Sequence, residues 1–234
     1  MSLILAIETG TEVCSVAIAK DGEIISLRES YEGRDHARNV ATFTDELFEQ
    51  SGITAKDLDA VAVGMGPGSY TGLRIGVSFA KGLCYGLNIP LIGIGSLEGM
   101  CAIARESYEV GEFKVENWAQ TRLCPMVDAR RMEVYTQLFD SSPTPLTEVS
   151  AEIIEEGSMS QYNDGVPFII FGNGAAKCAD YMPWATLIDV KPSARGLAKI
   201  AEAKLECGEV EDTAYCEPFY LKDFIVTTSK KKFF

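Results

Sequence analysis

Short apolar runs separated by turns open the chain. Residues 3–7 are apolar, Thr9-Gly10-Thr11-Glu12 is a turn, and residues 14–19 are apolar again. Asp21-Gly22 then turns the chain into a third segment, residues 23–30. Runs of this length joined by Gly-containing turns predict a three-strand antiparallel meander. From about 36 to 51 the period becomes helical: Val40, Phe43 and Leu47 share a stripe, Ala37, Ala41 and Phe48 widen it, and Gly52 ends it. Residues 60–63 are uninterruptedly apolar, which marks a strand buried on both faces. Gly64-Met65-Gly66-Pro67-Gly68 breaks that strand. A long helix is expected from about 69 to 85, a buried strand from 90 to 94 and a helix from 96 to about 108. The polar, poorly periodic stretch 109–121 is the best boundary, giving lobes of residues 1–108 and 109–234.

Beyond the boundary, residues 122–127 and 133–139 predict a hairpin around Asp128-Ala129-Arg130-Arg131. Pro143 and Pro145 mark a loop, and residues 168–171 predict a buried strand running into Gly172-Asn173-Gly174 and a short helix. An amphipathic helix is expected over 194–207. The second half thus reads as a shortened version of the first, without a periodic repeat of sequence. The element order predicts an α/β fold with mixed central sheets.

Composition narrows the function. With 234 residues, 47% hydrophobic and 24% charged, the chain builds a real core and excludes long disorder. Its 34 acidic against 21 basic residues, a net of −13, argue against gripping nucleic acid alone. The single histidine, His36, excludes a site built from two or more histidines of this chain. Alone it reads as a cap or surface residue, or as a ligand. Seven cysteines, at 14, 84, 101, 124, 178, 207 and 216, form no CxxC pair and read as reduced, mostly buried thiols of a cytoplasmic protein. The first residues lack the basic region of a signal peptide, and no run reaches the roughly 18 apolar residues of a membrane span. Lys230-Lys231-Lys232 before Phe233-Phe234 is either a solvated terminus or a basic contact for RNA or an acidic partner.

Four constellations carry possible chemistry. Thr9-Gly10-Thr11 is a turn whose amides and hydroxyls suit a phosphate, and a tight hairpin needs the same residues; Glu8 beside it is an acid, a holder of a hydrated cation or a turn acceptor. Gly172-Asn173-Gly174 ends a strand before a helix and suits a phosphate or ribose in the same way. Gly66-Pro67-Gly68-Ser69 makes a sharp strand-to-helix turn, with Ser69 as the cap, and lacks the Lys of a Walker loop. Within the following helix Gly68, Gly72, Gly76, Ala80 and Cys84 form a stripe almost free of side chains. It permits close approach either of the chain's own sheet or of a helix from another subunit. The clustered Asp128, Arg130 and Glu133 fit a salt-bridged hairpin end as well as a site.

The run Gly66-Pro67-Gly68-Ser69-Tyr70-Thr71-Gly72-Leu73-Arg74-Ile75-Gly76 resembles the signature of the TsaB (YeaZ) family, with Tyr70 where Phe is usual. Leu5-Ala6-Ile7-Glu8-Thr9, Cys14-Ser15-Val16-Ala17, Ser96-Leu97-Glu98, Asp128-Ala129-Arg130-Arg131, Glu133-Val134-Tyr135 and Pro218-Phe219-Tyr220-Leu221-Lys222 extend the likeness over nearly the whole chain. Glu8 stands where that family more often has Asp. The resemblance implies a two-lobed actin-like (ASKHA) fold, a duplicated ribonuclease H-like motif. It implies a noncatalytic scaffold in the synthesis of threonylcarbamoyladenosine on tRNA, paired with a metal-bearing, peptidase M22-like relative, TsaD. That relative holds its metal through two histidines on the first helix, where this chain has only His36. A TsaE-like ATPase, self-pairing when TsaD is absent, and tRNA contact only within the complex are further implied partners. No membrane is implied, and ATP and metal are expected on the partner subunits rather than here. The implied partner face is His36, Val40, Phe43, Leu47, Gly68, Gly72, Leu73, Gly76 and Ala80. A vestigial nucleotide site is expected at Thr9, Gly10, Thr11, Gly172, Asn173 and Gly174. The alternative is an independent enzyme of this fold, a small-molecule kinase or a metal-dependent peptidase.

Overall fold

The computed structural model describes residues 1–33 and 35–222, and the Lys230-Lys231-Lys232 run lies outside them. The first half forms a five-stranded sheet from β1 (Leu3–Glu8), β2 (Cys14–Lys20), β3 (Glu23–Ser30), β4 (Ala60–Gly64) and β5 (Leu91–Ile94), in the order β3-β2-β1-β4-β5. The meander is antiparallel, while β4 and β5 run parallel to β1. The second half builds β6 (Arg122–Asp128), β7 (Glu133–Thr136), β8 (Ser150–Ile153), β9 (Phe168–Phe171) and β10 (Thr186–Leu187), in the order β10-β9-β6-β7-β8. Read from the third strand of each set, the two orders are identical, with the same pattern of antiparallel and parallel pairs. The chain therefore has the duplicated α/β architecture expected, with one repeat in each lobe.

The alternation along the central strands explains how helices cover both faces. On β1, Leu5 and Ile7 join one cluster while Ile4 and Ala6 join another; on β4, Val61 and Val63 separate likewise from Ala60 and Ala62. The bulky side carries α1 (His36–Ser51) and α2 (Tyr70–Leu87), whose Val40, Leu47, Val77 and Ala80 complete that cluster. The alanine-rich side lets a short 3₁₀ turn (Ala194–Leu197) and α4 (Ala198–Cys207) lie close, through Ala194, Leu197 and Ala201. The helix expected over 194–207 is thus split, with a 3₁₀ turn at its start.

The boundary expected at 108/109 is crossed in both directions. Helix α3 (Ser96–Glu109), expected to complete the first lobe, lays Leu97, Met100, Cys101 and Ala104 on the second sheet against Leu123, Phe139, Ile169 and Phe171. In return, residues 194–207 cover the first sheet, and Glu211 bridges to Leu91 at its edge. The two crossing segments touch where neither has a side chain: a Cβ on Gly196 would collide with the carbonyl oxygen of Gly99.

Candidate functional site

The site grows from the turn after β1. Glu8 is the last residue of that strand and is 1% exposed. Its carboxylate accepts from the Gly10 amide (2.7 Å) and from the Ser96 hydroxyl (2.8 Å). The Ser96 oxygen in turn accepts from the Gly66 amide at 3.2 Å. The first residue of α3 thereby ties the acid to the Gly66-Pro67-Gly68 turn. Burial pushes the Glu8 carboxyl above the ordinary carboxylate range, against the opposing pull of the Gly10 amide, the Ser96 hydroxyl, the Thr9 amide and His36. Burial, reinforced by the Glu8 charge, also pushes the Cys14 thiol up to about 11. Gly64 leaves the acid its room, because a Cβ there would collide with the Glu8 carboxylate.

The glycine stripe of α2 packs against this same turn. A Cβ on Gly68 would strike the Gly10 carbonyl, on Gly72 the Thr9 carbonyl, and on Gly76 the Thr9 hydroxyl. The Thr9 hydroxyl donates to the Gly72 carbonyl (2.8 Å), and the Ser69 amide donates to the Gly10 carbonyl (2.6 Å). Ser69 caps the helix as expected, its hydroxyl accepting from the Gly72 amide at 3.3 Å. The sequence left the chain's own sheet or another subunit's helix as occupants of the stripe; the chain itself fills it, at its glycines through the turn after β1 rather than the face of the sheet. Gly68 is half-buried, while Gly72, Leu73, Gly76 and Ala80 are buried, so the expectation that these four lie on an open partner face is corrected. The same holds for Val40 and Leu47, at 1% and 0% exposure, which lie in the core under α1. Phe43 is half-buried against that core.

The open side of the two helices carries other residues. On α1, Ala37 and Ala41 are exposed and Phe48 half-buried. On α2, Gly82 and Gly86 are exposed with nothing within 4 Å of an added Cβ, and Ile75 and Phe79 are half-buried beside them. The C-terminal segment follows α2: Lys81 donates to the carbonyls of Ala214 (3.2 Å) and Cys216 (2.8 Å). Arg74 donates to the Tyr220 hydroxyl at 3.1 Å and lies 4.4 Å from the centre of the Tyr70 ring.

His36 is neither a surface residue nor arranged as a ligand. It is 9% exposed, and its Nε2 lies 2.9 Å from the Thr11 carbonyl oxygen, an N–H donor pinning the start of α1 to the turn. Among the described residues no group of three or more His, Cys, Asp and Glu side chains is arranged to hold a metal ion.

The two turns expected to share a nucleotide do come together. Asn173 reaches Glu12 with its Nδ2 donating to Oε2 at 2.5 Å, and its Oδ1 accepts from the Asp128 amide at 3.0 Å. Within the first turn, however, the Gly10 amide is bound to Glu8 and the Val13 amide to the Thr11 hydroxyl (3.2 Å). Lys177, which follows the second turn, is committed to Asp128 and to the Arg131 and Glu133 carbonyls, each carbonyl at 2.7 Å. Among the described contacts between the turns, Glu12 and Asp128 bring carboxylates to the gap and Lys177 is already committed, an arrangement unfavourable to a polyphosphate. The polar hairpin end is salt-bridged, through Asp128 to Lys177 and Glu133 to Lys222. Ser96 and Glu12 were not visible as site residues in the sequence. Ser96 carried two signals, its place at the start of a helix beside a strand end and its family-like run, and Glu12 only its place in the turn after the first strand.

Known proteins resemble the chain at both levels. The family model described as "TsaD: tRNA N6-adenosine threonylcarbamoyltransferase" matches residues 25–157. The Escherichia coli tRNA threonylcarbamoyladenosine biosynthesis protein TsaB is 31% identical over 94% of this chain and 94% of its own length. The Haemophilus influenzae protein of the same name is 37% identical, in an alignment covering 56% of this chain and about half (51%) of that relative. Among solved structures, YeaZ from Pseudomonas aeruginosa superposes with a TM-score of 0.76 at 25% identity, covering 94% of this chain and 100% of that one. An activator of 2-hydroxyisocaproyl-CoA dehydratase from Clostridium difficile, with bound ADPNP, shares the fold alone, at a TM-score of 0.50 and 11% identity over 90% of this chain and 98% of that one.

Proposed function

The chain belongs to the TsaB (YeaZ) family, and on that footing we propose that it is a noncatalytic scaffold subunit in the synthesis of threonylcarbamoyladenosine on tRNA. It docks a TsaD-type transferase through the open side of α1 and α2. The observation that carries this reading is the pairing of a family likeness over 94% of the chain with an open, small-residue helix face of Ala37, Ala41, Gly82 and Gly86. Small residues let a partner helix approach closely, and Phe48, Ile75 and Phe79 beside them supply apolar contact. A stable contact of this kind covers about 800 Å² on each partner.

The catalytic parts belong to the partners. His36 is spent on the Thr11 carbonyl, and the Thr9-Gly10-Thr11 turn is filled by the Glu8 carboxylate. Metal and ATP chemistry fall to the TsaD-type subunit and a TsaE-type ATPase. With a net charge of −13 the chain meets tRNA inside the complex, in the cytoplasm. Without the transferase the same open face pairs with a second copy. No helix among the described residues is long and apolar enough to cross a membrane.

The experiment is to mix the purified chain with a TsaD-type subunit and follow mass by light scattering. A one-to-one species that replaces any self-pairing is expected. Two components that elute unchanged at micromolar concentration overturn the docking reading.

A further inference from the structure

The poor fit of a polyphosphate between the two turns leaves open what holds the lobes together there. We propose that Glu12 and Asn173 form a built-in latch, the Glu12 carboxylate standing where an anionic ligand would bridge the lobes, so that they stay joined with no ligand bound. The proposal is independent of the docking reading.

Three observations support it. First, the contact joins residues 161 positions apart, one from each repeat, and both ends of the Asn173 amide are used. Nδ2 faces an acceptor, Glu12, and Oδ1 faces a donor, the Asp128 amide. A side-chain amide, a donor at one atom and an acceptor at the other, satisfies both at once, and a carboxylate does not. Second, Asn173 is rigidly presented. Gly172 before it has a φ of 98°, and a Cβ there would collide with the Met126 carbonyl. Gly174 after it donates its amide to that same carbonyl at 2.9 Å, and a Cβ there would lie 3.0 Å from the Asp128 amide. Third, Glu12 springs from the turn that also contacts both outer helices. Thr11 binds His36 of α1, and Thr9 binds Gly72 of α2. At this rim the first repeat therefore meets the second through one turn, in and beside which the Gly10 and Val13 amides are already occupied by Glu8 and Thr11.

A reciprocal swap tests the pair. Asn173→Asp keeps the acceptor for the Asp128 amide and places a second carboxylate against Glu12. Glu12→Gln in that background restores a donor opposite an acceptor. Hydrogen exchange at residues 9–13 and 172–176 and the melting temperature are the readouts. Asn173→Asp is expected to speed exchange in both turns about tenfold and lower Tm by about 2–4 °C, roughly the shift of one lost hydrogen bond in a chain of this size. The double variant Glu12→Gln/Asn173→Asp is expected to recover most of both. Should Asn173→Asp fail to fold, Glu12→Ala, which removes only an exposed side chain, is expected to loosen residues 172–176 selectively. Wild-type exchange in Asn173→Asp, no recovery in the double variant, or unchanged exchange in Glu12→Ala overturns the latch. So does a Tm that rises with millimolar MgATP in the wild type and not in Asn173→Ala, because a nucleotide would then occupy the place assigned to Glu12.

Discussion

Gly72 and Gly82 sit on one helix and answer to opposite constraints. Alanine at either gains up to about 1 kcal/mol of helix propensity. At Gly82 nothing lies within 4 Å of the new carbon, so Gly82→Ala is expected to raise the urea midpoint. At Gly72 the new carbon meets the Thr9 carbonyl, and the overpacking costs about 1–3 kcal/mol, so Gly72→Ala is expected to lower it. Midpoints that move in the same direction contradict this packing. Glu8 gives a second residue-scale prediction. Its carboxyl titrates above its unfolded value, so the fold favours the protonated form, and stability is lost as pH rises from about 4.5 through the folded value. Glu8→Gln cannot ionise. Its stability relative to wild type is therefore expected to be constant below about pH 4.5 and to increase above it, read by urea unfolding between pH 4 and 8. Parallel curves for the two proteins would contradict the buried, destabilised charge. Glu8 was visible in the sequence as an acid ending an apolar strand. Its partner Ser96 was not, because 88 residues separate them and only the parallel arrangement of β1, β4 and β5 brings their ends together.

The elements were legible where periodicity was strong. Strands buried on both faces, such as β4 and β9, read as continuous apolar runs, and α1 ends at Gly52 in the left-handed conformation as expected. β8 and β10 were not legible: Ser150–Ile153 is half-exposed and Thr186–Leu187 is exposed, so neither carries an apolar run. The stripe on α2 was visible as a pattern, and its direction was not. Small residues at every fourth position announce close approach without saying to what, and here Gly68, Gly72 and Gly76 meet the chain itself while Gly82 and Gly86 stay open. The docking face is therefore tested with substitutions on the open side. Gly82→Arg and Ala41→Arg replace exposed residues and are expected to leave the fold intact while weakening binding of the TsaD-type subunit at least about 30-fold, the loss typical of an interface centre. Titration calorimetry measures it, and unchanged affinity in both variants would remove α1 and α2 from the interface.

At the scale of the whole molecule, the two repeats exchange helices: α3 covers the second sheet and α4 the first. A composition-based boundary marked where one sheet's strands end and was blind to this exchange, because a helix does not record in its own sequence which sheet it will cover. The lobes are consequently bound in the middle by α3 against the 3₁₀ turn that precedes α4, and by the contacts around Glu12 at the rim. Charge acts at the same scale. With a net of −13, the chain alone is expected to show no retention of tRNA in a filter-binding assay at physiological salt, and micromolar affinity there would contradict a role confined to the complex. The most direct test of the scaffold assignment is reconstituted modification of tRNA from threonylcarbamoyl-AMP. The account predicts no modified adenosine with this chain alone, modification by the TsaD-type subunit when the chain is added, and loss of that stimulation with Gly82→Arg. Modified adenosine produced by this chain in the absence of the transferase would contradict it.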